Sequence, residues 1–145
     1  MIINETISIS QKPELIWSYW MDVSNDVYWR NGITKAKWTS QSPYGIGSTG
    51  EHTHKDTGVM TWEVARIEDG SSFEFIHTAG ALKGSIAFFQ VGPENNGSRV
   101  KVQMRMSGPI IMRIMMFFMG NMMRKGVRDD MQKLKELMEK PDTST

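Results

Sequence analysis

The stretch that decides the fold is residues 99–140, RVKVQMRMSGPIIMRIMMFFMGNMMRKGVRDDMQKLKELMEK, in which a strand periodicity gives way to a helix periodicity. Positions 99–106 alternate between polar and apolar side chains, which is typical of an antiparallel strand with one face in water. After Gly108–Pro109, apolar residues recur at steps of three and four as far as Met138. That spacing predicts one long amphipathic helix, which ends before Pro141.

Upstream of this stretch, the elements are one strand, two short helices and a run of further strands. Residues 2–10 alternate and are rich in isoleucine, which predicts the first strand. Pro13 suits the first turn of a helix over residues 13–21, and Ser24 and Asn25 suit the cap of a second helix that runs to Trp29. Further strands, separated by turn residues, are predicted at 35–39, 48–55, 59–67, 73–77, 85–91 and 99–106.

Together these elements predict an α+β fold. A curved antiparallel sheet of about seven strands would wrap around the long C-terminal helix, with two short helices after the first strand. The chain has 145 residues, which fits one domain. We place that domain at residues 1–140 and expect a flexible tail at 141–145.

The composition of the chain excludes some kinds of functional site and argues against one class of partner. The chain has no cysteine, which excludes disulfides, thiolate metal sites and a cysteine nucleophile. Its 17 basic and 16 acidic residues are nearly balanced, which argues against a nucleic-acid partner. The first residues lack the basic start and apolar run of a signal peptide, so we expect a cytoplasmic location.

Five short motifs lie at the joints between the predicted elements. They are residues 9–17 (ISQKPELIW), 22–29 (DVSNDVYW), 45–48 (GIGS), 89–100 (FQVGPENNGSRV) and 131–139 (MQKLKELME). In this order they resemble the polyketide cyclase/dehydrase-like branch of the SRPBCC superfamily, the helix-grip proteins that include START domains and birch-pollen-allergen proteins. The resemblance implies an internal cavity, but the superfamily includes both ligand carriers and aromatase/cyclases, so the fold alone does not assign the reaction.

The resemblance and the alternation of the strands together indicate which side chains face that cavity. We expect it to hold a lipid, quinone, polyketide or similar apolar molecule. Its apolar lining would comprise Trp62, Val64, Phe73, Phe75, Phe89, Val100, Val102, Met104, Ile114 and Phe118. One or two polar groups would orient the guest, and the candidates are Trp29, His77 and Arg113.

One segment departs from the family pattern. Residues 110–123 are apolar almost all round the predicted helix, with Arg113, Gly120 and Asn121 as the interruptions. The segment is too short to span a bilayer, and an all-round apolar helix needs cover on both sides. We expect one side to face the cavity and the other to be covered by a second subunit in a homodimer, by a membrane surface as a peripheral contact, or by a loop.

Catalysis is the alternative use of the same cavity. His52 and His54 share a face of one strand and His77 lies on another, but no carboxylate is fixed beside them by spacing. We therefore predict neither a metal nor another cofactor, and we assign no catalytic residue. A cyclase, dehydratase or hydrolase would need inward titratable groups that converge in the cavity, whereas an entirely apolar cavity would favour a carrier. A third hypothesis is an interaction module that uses residues 110–123.

Overall fold

Seven antiparallel strands build one sheet in the computed structural model, which describes residues 1–141. The strands are β1 (Ile2–Ile9), β2 (Ile33–Trp38), β3 (Thr49–His54), β4 (Gly58–Glu68), β5 (Ser72–Ala79), β6 (Ile86–Glu94) and β7 (Gly97–Arg105). Their order across the sheet is β1-β7-β6-β5-β4-β3-β2. The α+β helix-grip fold is therefore confirmed. The domain limit at residue 140 stays a prediction, and most of the expected tail lies outside the described residues.

Three helices complete the fold. They are α1 (Pro13–Met21), α2 (Asp26–Trp29) and α3 (Ile110–Glu139), and a single 3-10 turn, Val23–Asn25, precedes α2. Pro13 opens α1 as expected, because its ring presets the helical φ and it has no N–H to leave unpaired. The expected cap was misplaced: the Asp22 carboxylate accepts the backbone N–H of Ser24 at 3.3 Å, and thus caps the 3-10 turn.

The inner face of the sheet packs against the short helices and the second half of α3. Ile16 and Trp20 from α1 and Leu134 from α3 are almost completely buried there. On β4 to β7, buried side chains alternate along the strand as the sequence predicts. They comprise Trp62 and Val64 on β4, Phe73 and Phe75 on β5, Phe89 on β6, and Val100 and Val102 on β7.

Strand β6 is longer than the sequence suggests. It includes Pro93, a residue that is typical of turns rather than strands. The sequence predicts a strand that ends at residue 91, but β6 continues to Glu94, and Pro93 pairs with Ser98 of β7. The pairing between β5 and β6 ends at Gln90. Past that point β6 has one neighbouring strand, so the missing N–H of Pro93 leaves the ladder with β5 intact.

The two halves of α3 differ in their contacts. The second half is held along β1: Arg128 Nε donates to Glu5 at 3.0 Å, and Lys135 Nζ donates to the Ser8 carbonyl at 2.7 Å. The first half, residues 110–123, buries Met116 and Gly120 but leaves Phe117 and Phe118 83% and 79% exposed. Met112 and Met123 on the same face are partly buried, so one narrow face of this half is covered and the rest of its surface is exposed.

Among residues 1–141, none of the helices has the length and apolarity needed to cross a membrane.

The first half of α3 lies at one particular end of the sheet. In an antiparallel sheet, the loops β3–β4, β5–β6 and β7–α3 and the start of β1 all lie at the same end. Two hydrogen bonds tie that end together: the Met106 N–H donates to the Met1 carbonyl at 2.8 Å, and the Ser107 N–H donates to Ser85 Oγ at 3.0 Å. We call this the α3 end of the sheet.

Candidate functional site

A small void lies between the short helices and the inner face of the sheet. Its volume is about 10 Å³, which is room for about one water molecule. The side chains around it are Trp20, Val23, Asp26, Trp29, His52, Trp62, Phe73, Phe75 and Phe89. A ready-made cavity of several hundred cubic ångströms, which the sequence led us to expect, is therefore not open here.

Aromatic packing explains why the space is closed. Phe73 and Phe89 stack with ring centroids 5.0 Å apart, and the Trp62 ring lies 5.0 Å from Phe75. Trp20 meets Phe89 edge-on at 5.6 Å. Opposite Trp62 on β3 stands Gly50, where any side chain would collide with the indole. The glycine thus makes room for the largest ring to point inward.

A buried carboxylate and imidazole meet at the edge of this void. His52 Nε2 lies 2.7 Å from Asp26 Oδ2, and Arg30 Nη1 donates to the same oxygen at 3.3 Å. His52 is 2% exposed, and its burial lowers the pKa of the imidazole below the usual value. The neutral ring therefore donates Nε2–H to Asp26, which leaves Nδ1 with a lone pair.

The sequence did not predict this pair. It offered no carboxylate fixed by spacing beside His52, and Asp26 was not among the candidate site residues. The two residues are 26 positions apart, and α2 brings the carboxylate to β3. A charged residue within the otherwise apolar pattern Val23, Val27 and Trp29 was the one signal in the sequence that could have suggested it.

Three tryptophans line the void and have a buried indole N–H with no hydrogen-bond partner among the described residues. They are Trp20, Trp29 and Trp62. A buried donor left unpaired costs about 1–3 kcal/mol, and buried indole N–H groups normally find an acceptor. All three side chains line the same void, which indicates a site suited to a guest that carries a hydrogen-bond acceptor.

His77 lies on the same inner face, behind Phe75. The two rings meet edge-on at 5.5 Å, and His77 Nδ1 donates to the Ser85 carbonyl at 3.2 Å. Burial lowers the pKa of His77 to about 4. Its inward orientation agrees with the alternation of β5.

Because the His77 imidazole is neutral in the folded protein, we expect the free energy of unfolding to fall at acidic pH. The unfolded chain binds a proton at this residue below its ordinary pKa of 6.5, whereas the folded protein keeps the ring neutral down to about pH 4. As pH falls, the unfolded state gains its proton first. His77 therefore lowers the free energy of unfolding by about 3 kcal/mol between pH 6.5 and about pH 4. His77→Asn, which keeps an N–H for Ser85 but does not titrate, is expected to lose this part of the acid sensitivity.

The measurement is urea denaturation of wild type and His77→Asn at several pH values across that window. Burial raises the pKa of Asp130 to about 6, so this carboxyl acts in the opposite direction and favours the folded state as pH falls. The difference between the two proteins isolates His77 from that effect. Parallel pH profiles for the two proteins would contradict the assignment.

The remaining predicted site residues fall into two groups. Val64, Val100 and Val102 are buried in the core beside the void, and Met104 is partly buried. Arg113, Ile114 and Phe118 lie on the open half of α3 instead, and Ile114 is 55% exposed. The structure does not bring these three to the void, because the first half of α3 does not lie over it. A role for any of the predicted residues in ligand binding stays a prediction.

Metal-binding side chains do not gather in threes anywhere in residues 1–141. His52 is committed to Asp26, and His54 Nδ1 accepts the Asp56 backbone N–H at 3.1 Å.

Comparison with known proteins agrees with this architecture. The family model described as "Polyketide cyclase / dehydrase and lipid transport" matches residues 2–139. No curated protein is significantly similar to the sequence.

Solved structures share the fold at low sequence identity. The Aha1 dimer from Colwellia psychrerythraea is 19% identical, with a TM-score of 0.70 and 96% of each chain covered. MLL2253 from Mesorhizobium loti is 17% identical, with a TM-score of 0.73 over 98% of this chain and 99% of that one. TTHA0849 from Thermus thermophilus is 14% identical, with a TM-score of 0.72 over 94% of this chain and 95% of that one. At these identities the likeness establishes the fold alone.

Proposed function

Because the chain belongs to the polyketide cyclase / dehydrase and lipid transport family, we propose that it binds one small, mostly apolar molecule that carries a hydrogen-bond acceptor. The guest would lie between the short helices and the inner face of the sheet. The observation that carries the proposal is that three tryptophans with unpaired indole N–H groups line one void. A carbonyl or hydroxyl oxygen placed there would satisfy donors that are otherwise buried without a partner.

The void must widen to admit such a guest, since pockets for small molecules measure about 300–1,000 Å³. The apolar walls would be the predicted set on β4 to β7, namely Trp62, Val64, Phe73, Phe75, Phe89, Val100, Val102 and Met104. Trp29 and His77 would supply polar contacts. Arg113, Ile114 and Phe118 would join the site only if the first half of α3 folds over the opened interior.

Prodan, a naphthalene dye with one carbonyl, is a suitable probe because it combines apolar rings with a single acceptor. Its emission is expected to shift to shorter wavelength on titration with the protein. Trp62→Phe keeps an aromatic ring but removes an indole N–H, so it should weaken binding by about tenfold. The titration is best made in a Phe117→Ser/Phe118→Ser background, which removes the large exposed rings of α3 as competing binding surface.

Trp17→Phe is the matched control, because Trp17 packs on Phe73 and is not among the side chains around the void. It should leave the affinity for prodan unchanged. Equal affinities for wild type, Trp62→Phe and Trp17→Phe would count against a site at the void. Native mass spectrometry of the protein from its own host would then name the class of any molecule that co-purifies.

A second candidate function is acid–base catalysis in the same space, and the Asp26–His52 pair favours it. A carboxylate that orients an imidazole leaves the other ring nitrogen able to take a proton from a bound substrate. With prodan bound in D₂O, such a base would exchange the protons next to the carbonyl for deuterium. Exchange that His52→Gln abolishes would support the enzyme, and binding without exchange would support the carrier.

A further inference from the structure

The first half of α3 presents a concentrated apolar surface to solvent. Phe117 and Phe118 are the most exposed of its large side chains, and their rings contact each other edge-on at 5.5 Å rather than the core. The other exposed apolar residues of this half are Ile110, Ile111, Ile114, Met115, Met119 and Met122. A contiguous apolar surface of this kind on a small protein indicates an interaction site.

The sequence around this surface is basic. Between Glu94 and Asp129 the chain has no acidic residue, but it has seven basic ones. They are Arg99, Lys101, Arg105, Arg113, Arg124, Lys125 and Arg128. Arg99 lies at the opposite end of β7, and Lys125 and Arg128 pair with Asp129 and Glu5. Of these, Arg113 lies within the apolar half of α3 and is exposed, while Arg124 and Lys125 directly follow that half.

Neighbouring strand ends and loops at the α3 end of the sheet add further exposed apolar and basic residues. Ile2 at the start of β1 and Val59 at the start of β4 are 51% and 55% exposed. Lys55 and Lys83 lie in the β3–β4 and β5–β6 loops, where Asp56 is the one acidic residue. Exposed apolar side chains and basic side chains therefore lie together at one end of the molecule.

A second copy of this chain fits that surface poorly. A symmetric dimer brings each patch against itself, so Arg113 and Arg124 would enter an interface to which neither copy's half-helix contributes a carboxylate. An anionic lipid surface suits both features, because the acyl region takes up apolar side chains while the head groups pair with lysine and arginine. The long stem of Arg113 lets its guanidinium reach the head groups from within an apolar helix.

We propose that residues 110–123 seat the protein on the surface of an anionic membrane. The half-helix lies in the plane of the interface with Phe117 and Phe118 inserted, and the basic residues at the α3 end contact phosphate groups. This interaction is separate from ligand binding at the void, and it does not depend on that proposal.

Co-sedimentation with vesicles tests the proposal on the full chain. We expect binding to vesicles that contain about one-third phosphatidylglycerol, weaker binding to phosphatidylcholine alone, and a loss of binding as salt is raised. Phe117→Ser/Phe118→Ser should reduce the partition coefficient by at least about tenfold. Arg113→Gln should reduce it by about fivefold.

Two controls match these variants in exposure and chemistry. Ile46→Ser removes an apolar side chain that is 77% exposed in the β2–β3 loop, at the opposite end of the sheet, and Lys12→Gln removes a cation before α1. Both should bind vesicles like wild type. The proposal is overturned if wild type ignores both vesicle types, or if the phenylalanine variant binds as well as wild type. A stable dimer in sedimentation velocity that the phenylalanine variant abolishes would assign the surface to a second copy and overturn it too.

Discussion

Replacement of Asp26 by alanine is expected to lower the free energy of unfolding by about 3–5 kcal/mol. The Asp26 carboxylate is buried, and its Oδ2 accepts hydrogen bonds from both His52 and Arg30. Without it, a guanidinium whose side chain is only 14% exposed stays in place with no counter-charge, and the His52 N–H loses its acceptor. Urea denaturation followed by tryptophan fluorescence measures the change.

Asp129→Ala is the control for that experiment. Asp129 also pairs with a cation, Lys125, at 2.8 Å, but its side chain is 61% exposed. Exposed pairs contribute about 0–1 kcal/mol, so this variant should unfold close to wild type. Equal midpoints for the two aspartate variants would show that burial of the Asp26 pair does not matter for stability. Asp26→Asn, which keeps an acceptor oxygen, should fall between wild type and alanine.

Phe75→Ala is the second substitution with a large expected effect, about 3–5 kcal/mol. The Phe75 ring lies at the centre of the inner aromatic cluster and contacts Trp62, Phe73, His77 and Phe89. Its removal leaves an apolar cavity next to the existing void, and such cavities admit small apolar guests. We therefore expect the variant to bind benzene, and benzene to recover part of the lost stability.

Phe88→Ala provides the matched control, because Phe88 lies on the outer face of β6, one residue from buried Phe89. The same change of side chain there should cost about 1 kcal/mol or less, since the ring is already partly in solvent. Denaturation of both variants with and without benzene measures the two effects. If Phe75→Ala is no less stable than Phe88→Ala, the inner cluster is not the core that this packing indicates.

Local signals in the sequence predicted the fold well. Pro13 and Pro141 fixed the helix ends that they flank, because proline acts through its own ring and needs no distant partner. Strand limits were less accurate, since pairing decides them. Ile33 joins β2 because it pairs with His54 across an irregularity in the register, which no local pattern reveals.

The candidate site was predicted less completely. Alternation identified Trp62, Phe75 and Phe89 as inward residues, because period two follows directly from strand geometry. It could not show how tightly those rings would pack, and so it suggested an open cavity. The position of the first half of α3 could not be predicted either. An apolar helix must be buried against some surface, but its sequence does not identify that surface.

The placement of β1 beside β7 has a consequence for how the chain is made. Ile2 pairs with Arg105 and Ile9 with Ser98, so β1 is synthesised well before β7, its partner in the sheet. At usual rates of translation the interval is on the order of 5–20 s. During this time the nascent chain carries an unpaired, isoleucine-rich segment, and the closing of the sheet depends on the arrival of β7.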